Sequence, residues 1–179
     1  NVRWEINKKS VDRAGLRAPV SRPPEAPRGP SAFYLSVLRN RLPTYERRPG
    51  GRISPLWTRA EGLLDEFDRI CRQSELPWAL VLIPDEIQVD PAIRAAALRR
   101  LGLDPGAYDF DGPQRRLLAW AAGRGVPVLD LLPLFRARHA AEGPLYLEGN
   151  THWNETGNRV AGLGLAGFLR ADTVQWRAP

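Results

Sequence analysis

Two short apolar runs constrain the fold more than anything else in this chain: "WALVLI" at 78–83 and "VPVLDL" at 126–131. Each is continuous rather than alternating. Such a run suits a strand buried on both faces, the strand type of a parallel sheet covered by helices. Pro77 and Pro84 bound the first run, and Gly125 precedes the second. The stretch between them is helical in pattern and long enough for a parallel crossover. The expected fold class is α/β with a parallel sheet. Only two such runs occur, and a two-stranded sheet is marginal by itself. The sheet should therefore keep an apolar edge, explained either by a break in the chain near residues 29–31 or by another protein chain packed there.

Helices fill the intervals. Residues 31–42, "SAFYLSVLRNRL", put Phe33, Leu35, Val37, Leu38 and Leu42 on a broad apolar face. After a loop, Ser54 reads as the cap of a long helix, with Pro55 at its first position. Leu56, Ala60, Leu63, Leu64, Phe67 and Ile70 form its apolar side. "DPAIRAAALRRLG", "DGPQRRLLAWAAGRG" and "LPLFRARHAAEG" read as three more helices, and a last one runs from about Glu155 to Arg170. Residues 18–30, "APVSRPPEAPRGP", hold five prolines and no periodicity. Residues 1–30 are therefore assigned to an N-terminal arm and Pro-rich linker, and residues 31–179 to one α/β domain.

Composition narrows the function classes. The net charge of +6 comes almost wholly from arginine; the only lysines are Lys8 and Lys9. The arginines are dispersed among acids along the helices, with no basic run and interleaved aromatics, so no nucleic-acid partner is expected. The single cysteine, Cys71, excludes a disulfide framework and a Cys-based zinc site, and reads as a small buried residue. No run approaches the ~18 apolar residues of a membrane span. The sequence opens on Asn1 and contains no methionine, which leaves open a signal or anchor further upstream.

"YLEGNTHWNETGNRVAGLGLAGFL", 146–169, concentrates the chemistry. His152 precedes Asn154, a good helix N-cap, and Glu155 suits the positive end of the helix dipole. In parallel α/β sheets, loops at the C-terminal ends of strands carry ligand sites. A histidine there serves as a general base if its other nitrogen is oriented by a partner, and Asn150 is the nearest candidate. The plainer reading is a polar residue in a capped loop. Trp153 is a substrate-binding candidate that either walls a pocket or packs under the last helix. Asp85 is a second one, because Asp85 and Glu86 follow the first strand; the plainer reading of that pair is a solvated turn after Pro84. Asp130 reads as a turn cap, Asp111-Gly-Pro as a helix start, and His139 as an exposed-face residue. "GLGLAG", 162–167, lies inside a helix and is no dinucleotide loop. No cofactor or metal is expected.

The block "YLEGNTHWNETGNRVAG" resembles the C-terminal motif of the SGNH/GDSL hydrolase superfamily, in the branch of alginate O-acetyltransferase-like proteins, where it reads Asp-Thr-His-Trp-Asn. "VLIPDEIQVDP" and "VPVLDLLPLFRA" resemble that family's fourth and fifth strands with their following segments. The resemblance implies a flavodoxin-like SGNH fold that lacks its first strands here. It also implies His152 as the base, Asn150 as its orienter, and a bacterial periplasmic or cell-envelope setting. Two departures stand out. Asn150 occupies the place of an Asp, and no Gly-Asp-Ser occurs in the chain. Both favour a non-catalytic, binding or scaffolding subunit of a larger assembly. The retained His-Trp-Asn favours the alternative, an esterase or O-acyltransferase acting on acylated carbohydrate, with its serine outside these residues.

Overall fold

The structure is a computed structural model and describes residues 29–171. Nearly all of the expected arm and linker, residues 1–28, lies outside the described residues, as do residues 172–179. The elements run α1 (Ala32–Arg41), α2 (Ile53–Gln73), β1 (Leu80–Leu82), α3 (Glu86–Val89), α4 (Pro91–Leu101), α5 (Gly112–Ala122), β2 (Val128–Asp130), α6 (Leu132–Glu142) and α7 (Glu155–Arg170), with 3-10 turns at Leu42–Tyr45 and Pro105–Ala107.

β1 and β2 are parallel neighbours, Leu80 opposite Val128 and Leu82 opposite Asp130. The α/β reading holds, and both strands fall inside the expected runs. They are shorter than those runs because proline interrupts the ladder. Pro127 accepts from the Leu80 N–H at 2.9 Å but has no N–H to return. One face of the sheet packs on α2 and α5, where Leu64, Leu80, Trp120, Ala121, Val126 and Val128 meet. The other packs on α6 and α7 through Leu129, Leu131, Phe135 and Val160. A third cluster lies beside the sheet, where Tyr34, Leu38, Leu42 and Tyr45 pack on Ile87, Ala97, Leu98, Tyr108 and Phe110.

Four expectations need correction. α1 buries Tyr34, Leu38 and Leu42 at an i, i+4, i+8 spacing, whereas Phe33 is 59% exposed. The stripe counted without Tyr34 is thus rotated from the true one. α2 starts at Ile53, so Ser54 sits in its first turn and is not the cap. The Gly50 carbonyl accepts the N–H groups of Ile53 and Ser54 at 2.9 and 3.4 Å, and that Gly-Gly turn does the capping. Asp85 and Glu86 do not form a solvated turn. Asp85 caps α3 in a reciprocal box, its side chain taking the Gln88 N–H while Gln88 Oε1 takes the Asp85 N–H, and Glu86 is buried. His139 is not on an exposed face, because its ring packs toward the cap of α4, with Nε2 3.7 Å from Asp90 Oδ2 and Nδ1 buried.

The expected apolar side of α2 exists but is left uncovered. Leu56, Leu63, Phe67 and Ile70 are each about half exposed. α2 instead buries Cys71 and Asp68, whose carboxylate accepts from Trp78 Nε1 at 3.1 Å and Arg72 Nε at 2.7 Å. The edge of β1 is open too. Leu80 and Leu82 bond toward the β2 side, so the backbone groups of Val81 and Ile83 point the other way. Ile83 is 64% exposed, and no further strand pairs with β1 among the described residues. Leu163, Leu165 and Leu169 of α7 are exposed as well.

Candidate active site

The loop before α7 is a narrow hairpin. Tyr146 and Trp153 form an antiparallel bridge, and the Leu147 N–H donates to the His152 carbonyl at 2.9 Å. The tip closes when the Asn150 N–H donates to the Leu147 carbonyl at 3.0 Å, with Gly149 at φ +65. Only glycine adopts that backbone without strain, and a Cβ there would also lie 3.1 Å from Ser31 Cβ. Ser31 Oγ donates to the Gly149 carbonyl at 2.8 Å, tying the cap of α1 to the tip. Tyr146 Oη donates to the Pro84 carbonyl at 2.8 Å, tying the hairpin to the end of β1. Asn154 caps α7, accepting the Gly157 N–H at 2.9 Å.

This frame sets the imidazole. Asn150 Oδ1 accepts from the N–H groups of Thr151 and His152 at 2.7 and 3.2 Å, and lies 2.6 Å from His152 Nδ1. An amide oxygen only accepts, and the two backbone donors identify that atom as the oxygen. His152 Nδ1 therefore carries a proton, and in the neutral ring Nε2 is the nitrogen with the lone pair. A neutral histidine with a free Nε2 is a ready general base.

His152 lines a cleft of about 530 Å³ at the C-terminal end of β1, together with Arg41, Tyr45, Ile83, Pro84, Asp85, Thr151, Trp153 and Asn158. Three of the four candidates, His152, Trp153 and Asp85, line this one cleft, and Asn150 stands directly behind the histidine. Trp153 lines the cleft and packs on Phe135 of α6 at 5.1 Å between ring centres. Asp85 is held by an ion pair with Arg41 and by Tyr45 Oη at 3.2 Å. Burial, with Asp85 alongside, pushes the Tyr45 phenol well above its ordinary range, so it stays a donor. Asp130 caps the turn after β2, accepting the Leu132 N–H at 3.0 Å. Among the described residues, no serine lines the cleft.

Arg41 and Tyr45 are site residues that sequence reasoning missed. They sit at the end of α1 and in the turn after it, about forty residues before Asp85. The helical pattern of 31–42 and the loop after it mark where α1 ends, but nothing local shows that this end meets the end of β1.

Residues 78–178 match the family described as SGNH hydrolase-like domain, acetyltransferase AlgX. The chain belongs to that family. Its matched part begins at Trp78 and takes in β1, β2, the His152 hairpin and α7, while α1 and α2 precede it. No curated protein and no solved structure matches the chain. As a member of an SGNH hydrolase-like family, the chain has its histidine hairpin where ligand sites of parallel α/β sheets lie.

Proposed function

We propose that this chain carries the histidine half of an SGNH-type site for acyl esters of carbohydrate, and that another protein chain completes both its sheet and its site. The observation that carries this reading is the Asn150–His152 pair at 2.6 Å, set in a cleft that no serine or cysteine lines among the described residues. In the completed site, a serine from outside these 179 residues attacks the ester carbonyl. His152 Nε2 takes the hydroxyl proton, the acyl group passes to the serine oxygen, and the leaving alcohol oxygen receives the proton. Asp85, Trp153 and Tyr45 contact the substrate. Taken alone, the chain is a non-catalytic binding and scaffolding subunit. That second reading is favoured by Asn150, which orients the ring but supplies no charge to an imidazolium. Membership of the family supports a bacterial periplasmic or cell-envelope setting. No helix among the described residues is long and apolar enough to cross a membrane.

The occupant we assign to the open edge of β1 is a strand apolar on both of its faces. An added strand pairs with the free backbone of Val81 and Ile83, and its side chains alternate toward α2 on one side and α7 on the other. Both of those helices carry exposed leucines, and Leu63 of α2 shares a cleft with Val81 and Ile83. An apolar cleft of about 710 Å³, lined by Trp57, Leu63, Phe67, Val81 and Ile83, marks the space. Replacing Leu56 and Leu63 with glutamine should leave the melting temperature of the isolated chain within about 2 °C, since exposed side chains contribute little. The same double variant should fail to assemble with the completing chain in sedimentation velocity. A large loss of stability would mean that these side chains are already covered.

Hydrolysis of acetylated oligosaccharide tests the chemistry. The isolated chain should show no turnover. The assembly purified from its source should show turnover that falls by at least about 10³ in His152→Ala. An assembly as active without the imidazole as with it would end the catalytic reading and leave the scaffold.

A further inference from the structure

Glu86 is a carboxyl group in an unusual place. It is 7% exposed, at the head of α3, next in the chain to Asp85 of the cleft. Tyr34 of α1, itself 2% exposed, lies near enough to influence it electrostatically, although the buried phenol oxygen makes no hydrogen bond among the described residues. The other groups that face it are acids, Asp85 at the cap of α3 and Asp90 at the cap of α4. Tyr146 from the hairpin lies near enough to feel its charge. The neighbouring cations are engaged elsewhere. Arg41 pairs with Asp85. Arg136 pairs with Asp111 and donates to the Gln88 carbonyl. Arg94 lies over the Phe110 ring. His139 faces Asp90, not Glu86.

We propose that Glu86 is a proton-controlled latch on α1, and through α1 on the cleft. As the neutral acid it allows Tyr34 to dock against α3. As the carboxylate it is a buried charge beside two others, and the least costly relief is for α1 to lift away. α1 is a ten-residue helix whose hold on the domain is Tyr34 and Leu38, with Leu42 and Tyr45 of the turn after it and the Ser31 and Arg41 hydrogen bonds. Arg41 ends α1 and Tyr45 lies in the turn after it, so release of α1 also frees Asp85 and reshapes the wall opposite His152. Burial first, then Asp90, pushes the Glu86 carboxyl up to about 8.

The sign follows from that direction. With α1 lifted, Glu86 is solvated and titrates as an ordinary carboxyl; with α1 docked, it keeps its proton up to about 8. Docking is therefore strongest below the ordinary carboxyl range, weakens as pH rises toward 8, and levels off above it.

Native-state hydrogen exchange on the intact chain, corrected for intrinsic rates, reads this directly. Protection of the Tyr34 and Leu38 amides should fall roughly tenfold per pH unit between pH 5 and 8, then flatten, while the α5 amides near Trp120 stay level. In Glu86→Gln the α1 slope should vanish. Tyr34→Phe, which keeps the ring but removes a hydroxyl that favours the carboxylate, should move the levelling-off to higher pH and keeps the test open if Glu86→Gln does not fold. α1 protection that is flat from pH 5 to 8, or an equal slope in Glu86→Gln, would overturn the latch.

Discussion

Gly157→Ala should destabilise the domain by about 3 kcal/mol and disorder the His152 hairpin with it. An ideal Cβ at Gly157 would lie 2.2 Å from the Leu145 carbonyl oxygen and 3.0 Å from Trp153 Cβ. The first is a backbone atom of a fully buried residue and has no rotamer to move into. α7 has to slide away. That breaks the bond from the Asn154 N–H to the Leu145 carbonyl (3.0 Å) and the one from Asn154 Nδ2 to the Pro144 carbonyl (2.8 Å). Against this, alanine gains about 1 kcal/mol over glycine in a helix interior. Gly162 isolates that smaller term, since a Cβ there meets nothing within 4 Å. Gly162→Ala should therefore stabilise by 0.5 to about 1 kcal/mol. Urea unfolding of both variants separates packing from propensity. If the two alanines give the same midpoint, α7 does not lie as close to residue 145 as described.

These two glycines also show what a sequence can and cannot reveal. Gly162 opens the small-residue run "GLGLAG", 162–167, which suits close packing of the helix, whereas Gly157 lies ahead of it in "ETGNRVA". The pattern shows that something approaches closely, but not which glycine is indispensable. That depends on a carbonyl twelve residues upstream. The same division runs through the fold. β1, β2 and the cap at Asn154 were readable because each follows from local chemistry, namely continuous apolar runs, proline boundaries and a side chain that accepts an N–H. The rotation of α1 was not, because it turns on whether the Tyr34 ring goes inward. The burial of Glu86 was not, because two adjacent acids after a proline look like a solvated turn until α1 is placed over them. At the candidate site, the Asn150–His152 pair was readable from a spacing of two. The Arg41–Asp85 ion pair crosses 44 positions of chain and has no local signature.

In the completed assembly, Asn150→Asp should raise the turnover of ester by between about 10² and 10⁴, with little change in KM. The bound depends on how triads work. Asparagine already does one part of the orienter's task here, since its Oδ1 lies 2.6 Å from His152 Nδ1 and selects the tautomer with Nε2 free. It cannot do the other part. When Nε2 takes the proton from the nucleophile, the ring becomes a cation, and a carboxylate at the same distance stabilises that charge where a neutral amide does not. In serine-protease triads the reverse exchange costs about 10⁴, though part of that loss comes from a wrong tautomer, an error this hairpin does not make. The gain should therefore fall short of the full factor. It should appear in kcat, because the imidazolium forms only on the way to the transition state. The fold should tolerate the change, since the Oδ1 that accepts the Thr151 and His152 N–H groups is present in either residue. Steady-state kinetics on wild type, Asn150→Asp and the double variant Asn150→Asp/His152→Ala decide the matter. A gain that survives in the double variant would show that the carboxylate acts without the histidine. No gain at all, with the hairpin intact by NMR, would mean that His152 never becomes charged in the reaction and that the site serves binding alone.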